Sequence, residues 1–408
     1  MKINLLLLST LFFNLSILNA QQADSVKNNE PLNAVNSIVY ADDSSKKLTI
    51  GAYGQIEFSQ QFADTARHNA LIDVHRIVMF MGYKFNSRTH FVIEIEFEHV
   101  NEAAVEQAFL NYKLARWIDV RAGLMLIPMG IINEYHEPTT FNGSIRPSLD
   151  NKIVPTTWRE IGAGFTGKTD KVSLKYQLYA VNGFNGYDVG GKFKGDDGLR
   201  GGRQKGIKSY MTSPDISAKL DYFGIAGLKL GAAGYFGESE SKLFEGLWKE
   251  DTLNIKEAKA DSSVIGITML GFDARYEWNG IEARAQYIMA NLSNTPAYNK
   301  FSKKDSLTGL GSSMSGYYIE AGYNVLKLCK NTKNKLVIFA RYENYNTHAS
   351  VESGTKQNDE YNRTDITVGA GFKVADGAIF KADYQQLTNA MDGSKPKNMF
   401  NMGIGIWF

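Results

Sequence analysis

The sequence predicts an all-β fold, a 16-stranded antiparallel transmembrane β-barrel with short periplasmic turns and long extracellular loops, and three observations predict it. The chain ends on a strand with one apolar face: Phe400, Met402, Ile404, Ile406 and Phe408 share that face, while Asn401 and two glycines line most of the other. Segments of the same period-two alternation recur to a total of sixteen, mostly near the ~9–11 residues a tilted strand needs to cross a hydrocarbon core. The connections between them alternate long and short, so one rim is tight and the other loopy, with both termini on the tight rim.

In order, the first eight strands fall near 47–59, 74–85, 89–99, 104–114, 117–126, 158–167, 171–182 and 215–223. The second eight fall near 227–237, 263–277, 280–291, 314–324, 335–344, 363–374, 377–388 and 397–408. Short connections include 86–88, 167–170 and 278–280, and long ones include 127–157, 183–214, 238–262, 292–313 and 345–362. A propeller would also give many short strands, but in repeating four-strand blades, and no such repeat is present. The faces are cleanest where Phe91, Ile93, Ile95 and Phe97 oppose Glu94, Glu96 and Glu98, and where Ile366, Val368 and Ala370 oppose Asp365 and Thr367. Alternation alone also suits a soluble sandwich. Trp117, Trp158, Trp278 and Trp407 favour the membrane, since all fall at strand ends or turns where amphipathic rings settle at an interface. The second strand is apolar on both faces from Ile77 to Met81, as if packed against a segment folded inside the barrel.

Composition agrees. The 45 basic and 43 acidic residues balance, which points away from nucleic acid, and a mean hydropathy of -0.28 conceals the alternation. Aromatic and glycine-rich usage, 23 Phe, 21 Tyr and 38 Gly against 8 Pro, suits strands and turns. A positive start at Lys2, an apolar run to Leu18 and a small residue at Ala20 read as a cleaved signal peptide over 1–20, followed by a periplasmic lead-in over 21–46 and the barrel over 47–408. The expected location is the outer membrane of a Gram-negative bacterium, with its lipid as partner. Cys329 is the single cysteine, so the fold must close without an internal disulfide.

A lumen this wide holds water or an inserted segment. The lead-in is too short for a globular plug, so the expected occupant is water narrowed by a loop. Residues 127–157 are the candidate constriction: four of the eight prolines stiffen them, and they carry Glu134, His136, Glu137, Arg146, Asp150 and Lys152. The alternative is an external loop held over the barrel mouth.

Asn111-Tyr112-Lys113, Arg121-Ala122-Gly123, Pro128-Met129-Gly130, Glu137-Pro138, Arg146-Pro147 and Pro155-Thr156-Thr157-Trp158-Arg159-Glu160-Ile161-Gly162 together resemble the phosphate-selective porin O and P family. The likeness is strongest from about 105 to 165. It implies a diffusion channel, usually a homotrimer, passing small polar solutes or anions such as phosphate. The aromatic C-terminus at Phe408 resembles the signal read by the barrel-assembly machinery.

Phosphate selectivity requires an excess of inward bases. The inward faces show balance instead, with opposite signs two apart in Asp119/Arg121, Lys219/Asp221, Asp273/Arg275, Glu282/Arg284, Arg341/Glu343 and Lys381/Asp383, and Lys175 on a further strand. With a turn at Trp278-Asn279, Arg275 would lie opposite Glu282 and Asp273 opposite Arg284. The expectation is a locally neutral wall with weak ionic preference, or equally a ladder that only stabilises the wall. No cofactor or enzymatic activity is expected, because the six histidines match no metal or nucleophile motif. A channel specific for a sugar or apolar solute, or a barrel-borne hydrolase, are the alternatives; Tyr53, Tyr179, Tyr235 and Tyr318 face inward but are scattered. The glycine-rich stretch 190–198 lacks calcium-loop spacing and reads as a flexible solvated loop.

Overall fold

The computed structural model describes residues 33–39, 47–62, 66–247, 255–329 and 332–408. The expected signal peptide and most of the lead-in lie outside these residues. The barrel strands are β1 (Leu48–Phe62), β2 (Leu71–Lys84), β3 (Thr89–Glu98), β4 (Glu102–Ala115), β5 (Ile118–Leu126), β6 (Arg159–Thr169), β7 (Leu174–Val181) and β8 (Asp215–Ile225). They continue as β9 (Leu228–Glu238), β10 (Gly266–Trp278), β11 (Ile281–Leu292), β12 (Ser313–Asn324), β13 (Lys335–Ser350), β14 (Asn362–Ala375), β15 (Ala378–Asn389) and β16 (Lys397–Trp407). Each pairs with the next, and β1 pairs antiparallel with β16 from Tyr53↔Trp407 to Phe62↔Asn398, closing the cylinder. Phe408 completes the seam by exchanging backbone hydrogen bonds of 2.9 Å with Ala52.

All sixteen expected strands are present. The largest boundary difference is in β13, which runs to Ser350 because pairing continues at Tyr345 and Asn346 after the apolar alternation has ended and resumes, past a register shift, at Ser350. Outward positions such as Phe97, Leu178, Phe272 and Ile338 are exposed, whereas Glu94, Lys219, Asp365 and Thr367 are buried inside. An apolar exterior around a polar interior is the inverse of a soluble protein.

The rims are as unequal as the spacing predicts, with two exceptions. Residues 99–101 form a tight turn on the loopy rim, made possible by left-handed backbone at His99 (φ 51) and Val100 (φ 64). The sequence between β12 and β13 on the tight rim is longer than the other turns there and opens with a 3-10 turn at Val325–Leu328.

The β10–β11 turn corrects the expected register. It is Asn279-Gly280, with φ of 51 and 87, not Trp278-Asn279. A two-residue hairpin of this hand needs positive φ at both central positions, which Asn-Gly supplies and Trp-Asn does not. The faces are unchanged, but Arg275 now lies opposite Arg284, Asp273 opposite Gln286, and Glu277 opposite Glu282. Like charges therefore face each other directly, and the arginines find counterions on other strands: Arg284 lies 3.8 Å from Glu320 on the adjacent β12, and Arg275 3.4 Å from Asp221 on β8, two strands away.

The tryptophans divide. Trp117 and Trp278 are 57% and 59% exposed at the rim, as expected of interfacial rings. Trp158 and Trp407 correct the expectation. Trp158 is fully buried, and Trp407 points inward to stack on Tyr53 and Phe80 at centroid distances of 5.8 and 5.0 Å. Its position shares the face of Asn401, which is also buried inside.

A further element packs inside the barrel. Residues 34–39 of the lead-in form a short helix, α1 (Ala34–Val39), with Ala34 and Ile38 buried and Val35 and Val39 packed on the same cluster as Trp407. Gly82 on β2 makes room for it, since a Cβ there would overlap the side chain of Ile38. The inward apolar residues Val78 and Phe80 of β2 thus have a lumenal partner, and protein occupies part of the lumen.

Candidate functional site: a loop held across the lumen

The connection from β5 to β6 folds inward because it carries an apolar set of its own. Ile127, Met129, Ile131, Ile132, Tyr135, Phe141, Leu149, Ile153 and Val154 are all buried, a pattern that an exposed loop over the mouth would not bury. Asn133 ties the two ends together: its side chain donates to Ile127 O at 2.6 Å and accepts from Trp158 N at 2.8 Å. A single helical turn, α2 (Leu149–Lys152), follows the Arg146-Pro147 pair.

Its polar groups are met by the wall. Lys219 of β8 donates to Gly130 O at 3.0 Å and to Glu134 at 2.6 Å, while Gln177 of β7 donates to the other Glu134 oxygen at 2.6 Å. Gln286 of β11 accepts from Ile131 N at 2.6 Å and donates to Asp150 at 2.8 Å. On the opposite side Glu343 accepts from Leu149 N (3.1 Å), Glu320 from Asn142 (3.1 Å) and Asp383 from Ser144 N (2.6 Å), and Lys381 donates to Phe141 O (2.8 Å). Gln55 of β1 donates to Ser144 O at 2.9 Å, and Arg76 of β2 donates to His136 O. The loop is therefore anchored to strands all around the barrel.

The expected site residues fall into three groups. In the loop, His136 Nε2 lies 2.9 Å from Tyr53 Oη and 3.3 Å from Glu106, Glu137 accepts from Ala34 N at 3.1 Å, and Arg146 donates to His136 O at 3.2 Å. Glu137 thus links the loop to α1, as does Asn33 just before the helix, whose side chain donates to Glu134 O at 3.1 Å. Lys152 pairs with Asp197 at 2.6 Å. On the wall beside the loop, Arg121 donates to Asn111 (3.2 Å) and Tyr179 (3.3 Å), while Lys175 and Arg275 lie over the Tyr135 ring at 5.9 and 4.8 Å. Asp273 lies 3.4 Å from Lys219, and Arg341 bridges Glu320 (3.2 Å) and Glu343 (2.9 Å). Glu282 stands apart, paired in register with Glu277 and Gly322 near the tight rim. Arg159 donates to Thr157 at 3.3 Å.

The two-apart charge pairs correct the expected ladder. Arg341/Glu343, Asp273/Arg275 and Lys219/Asp221 do meet, at 2.9, 3.5 and 3.9 Å. Asp119 and Arg121 are instead joined through Asn111, and Lys381 and Asp383 each hold the loop backbone. Much of the lumenal charge binds protein rather than lining a bath. Sequence reasoning missed Arg76, Glu106, Glu160 and Asp215, all buried inside. Arg76 and Glu106 stand beside register shifts in β2 and β4, where strict alternation fails.

The loop after β7 also differs from expectation. Phe193 is fully buried, Thr347 donates to Gly195 O at 2.5 Å, and Gly195 N donates to Thr308 O at 3.1 Å, so 190–198 is a packed loop. Further on, Arg200 and Arg203 both donate to Thr156 O, at 2.7 and 2.9 Å, which sets two guanidiniums side by side at the constriction loop. Burial pushes Arg203 down to about 9, and Arg200 and Arg159 push the same way. Between α1, the loop and the β4–β7 wall a cavity of about 30 Å³ remains, enough for a water or two.

No family model matches the chain. A protein of Aquifex aeolicus (strain VF5), described as uncharacterized, is 32% identical over 348 residues, covering 83% of this chain and 75% of its own length. Among solved structures, the outer membrane channel DcaP of Acinetobacter baumannii superposes with a TM-score of 0.55 at 9% identity, over 88% of this chain and 97% of that chain. The anion-selective porin from Comamonas acidovorans gives 0.55 at 9% identity over 88% and 99%. OmpT of Vibrio cholerae, in its trimer form, gives 0.53 at 11% identity over 89% and 100%. At these identities the likeness is one of fold. The chain belongs to one family with the Aquifex aeolicus protein, and its closed barrel has the fold of the outer-membrane porins.

Proposed function

We propose that the protein is an outer-membrane porin, a non-enzymatic channel for passive diffusion of small hydrophilic solutes or ions, exported by its leader and assembled as a homotrimer. The carrying observation is a closed sixteen-strand cylinder, apolar outside and polar inside, with residues 127–157 pinned across the lumen. The pinned loop and α1 set the bore. Because most wall charges are paired with each other or with the loop, passage is governed by size more than by sign. Liposome swelling with a graded series of sugars and amino acids tests this: uptake falling with solute size supports it, and no uptake of any solute rejects it.

One observation favours a second reading, a preference for anions in keeping with the phosphate-selective porin O and P resemblance. Arg159, Arg200, Arg203 and Lys205 act on one another as like charges at the loopy side of the constriction, opposed by Glu98 and Asp197. A cluster of this kind attracts an oxyanion. Reversal potentials across a planar bilayer decide between the readings: near-zero values support sieving by size, and a strong anion preference abolished by R200Q/R203Q supports selectivity.

A further inference from the structure

We propose that Glu94, Glu106 and His136 form a divalent transition-metal site that clamps the constriction loop to the β3–β4 wall. The three residues come from β3, β4 and the loop, and each is at most 1% exposed. One ligand atom from each lies within 4.8 Å of the others, so small adjustments bring them to the separations of ligands around one ion.

Three observations converge on the site. The first is backbone geometry. Glu94 pairs with Gln107 but Ile95 with Val105, so Glu106 is the extra residue of a β-bulge. The bulge turns Glu106 and Gln107 inward together, which regular alternation forbids. The second is unmet valence. Glu94 Oε1 and Glu106 Oε1 are buried without hydrogen-bond partners, as are Glu96 Oε1 and Glu137 Oε2 nearby, and the imidazole presents Nε2 to Glu106 Oε2 at 3.3 Å. Buried polar atoms left unpaired call for an ion or water. The third is charge. Glu94, Glu96, Glu106 and Glu137 gather four carboxylates, against which Arg76, 3.9 Å from Glu96, Arg146, bonded to His136 O, and the His136 ring itself, 3.3 Å from Glu106, are the bases. A divalent ion supplies the missing positive charge.

Supporting contacts already orient the ligands. Gln107 donates to Glu94 Oε2 at 3.0 Å, and Tyr53 donates to Glu106 Oε2 at 3.1 Å. Outer-shell bonds of this kind fix ligand rotamers. An imidazole with two carboxylates suits zinc, manganese or ferrous iron better than calcium or magnesium. The site does not depend on the barrel conducting.

The test uses untagged full-length protein in detergent, stripped with chelator and titrated with Zn²⁺. One tightly bound equivalent is expected, weakened about a hundred-fold or more by E106Q or E94Q and retained in H99N. The control matters because Asp73, His75 and His99 form a second, more exposed group at the loopy rim, with His99 Nδ1 2.6 Å from Asp73. Wild type that takes up no Zn²⁺, or binding lost in H99N and kept in E106Q, overturns the proposal. Should the glutamine variants misfold, pulsed EPR of Cu²⁺ bound to the wild type counts coordinated imidazoles. One supports the buried site, and two assign the ion to the rim.

Discussion

Lys219 Nζ lies 2.6 Å from Glu134 Oε2 within the barrel, a buried ion pair joining the β8 wall to the middle of the constriction loop. Asp273 at 3.4 Å and Asp221 at 3.9 Å share the same ammonium. The lysine therefore balances a cluster of acids, and its position makes the loop part of the wall's charge network.

Lys219→Met takes away the ammonium that pairs with Glu134 and leaves only the Gln177 hydrogen bond on that carboxylate. Breaking a buried pair from one side costs about 3–5 kcal/mol, with any water reaching the site lowering that figure. A lower midpoint for heat-induced loss of the compact gel mobility is expected, and adding Glu134→Gln should recover part of it. An unchanged midpoint in the single variant would show the pair to be unimportant.

The loop sets the bore. A chain lacking residues 131–152 should show a larger single-channel conductance, by roughly two-fold or more, with the same barrel mobility on gels. Equal conductance with and without those residues would remove the constriction from the proposed function.

Helix α1 narrows the lumen on the tight-rim side, and Gly82 is its seat. Gly82→Leu places a side chain where Ile38 packs, so it should expel α1 and raise conductance without altering the strands. Deletion of 33–39 should give the same increase, and combining the two should add nothing further. An additive effect would mean that the leucine acts elsewhere.

Asp150 confers a pH response on the loop. Burial pushes its carboxyl up to about 7 and Glu343 pushes the same way, while the hydrogen bond from Gln286 and the charges of Arg341 and Arg146 oppose them. A carboxyl raised on folding favours the protonated form inside. Its contribution to holding the loop is therefore complete below the usual carboxylate range and is lost as pH rises through about 7. Channel noise should be greater at pH 8 than at pH 5, and Asp150→Asn should flatten the difference. Equal noise at both pH values in the wild type would exclude this role.

The sequence by itself determined the barrel. Alternation is a property of neighbours in the chain, so Phe97 outside and Glu94 inside are legible from one strand alone, as are the sixteen segments and the inequality of the rims. The proline-rich loop was legible as a candidate, though its buried apolar residues from Ile127 to Val154 were the stronger signal. The tertiary structure decided whatever depends on distant residues meeting. The Asn279-Gly280 turn moved Arg275 from Glu282 to Arg284, the bulge at Glu106 turned a wall residue into the lumen, and α1 found its seat at Gly82. None of these follows from a local period, because register, bulges and lumenal packing are settled between chain segments that come together only when the cylinder closes.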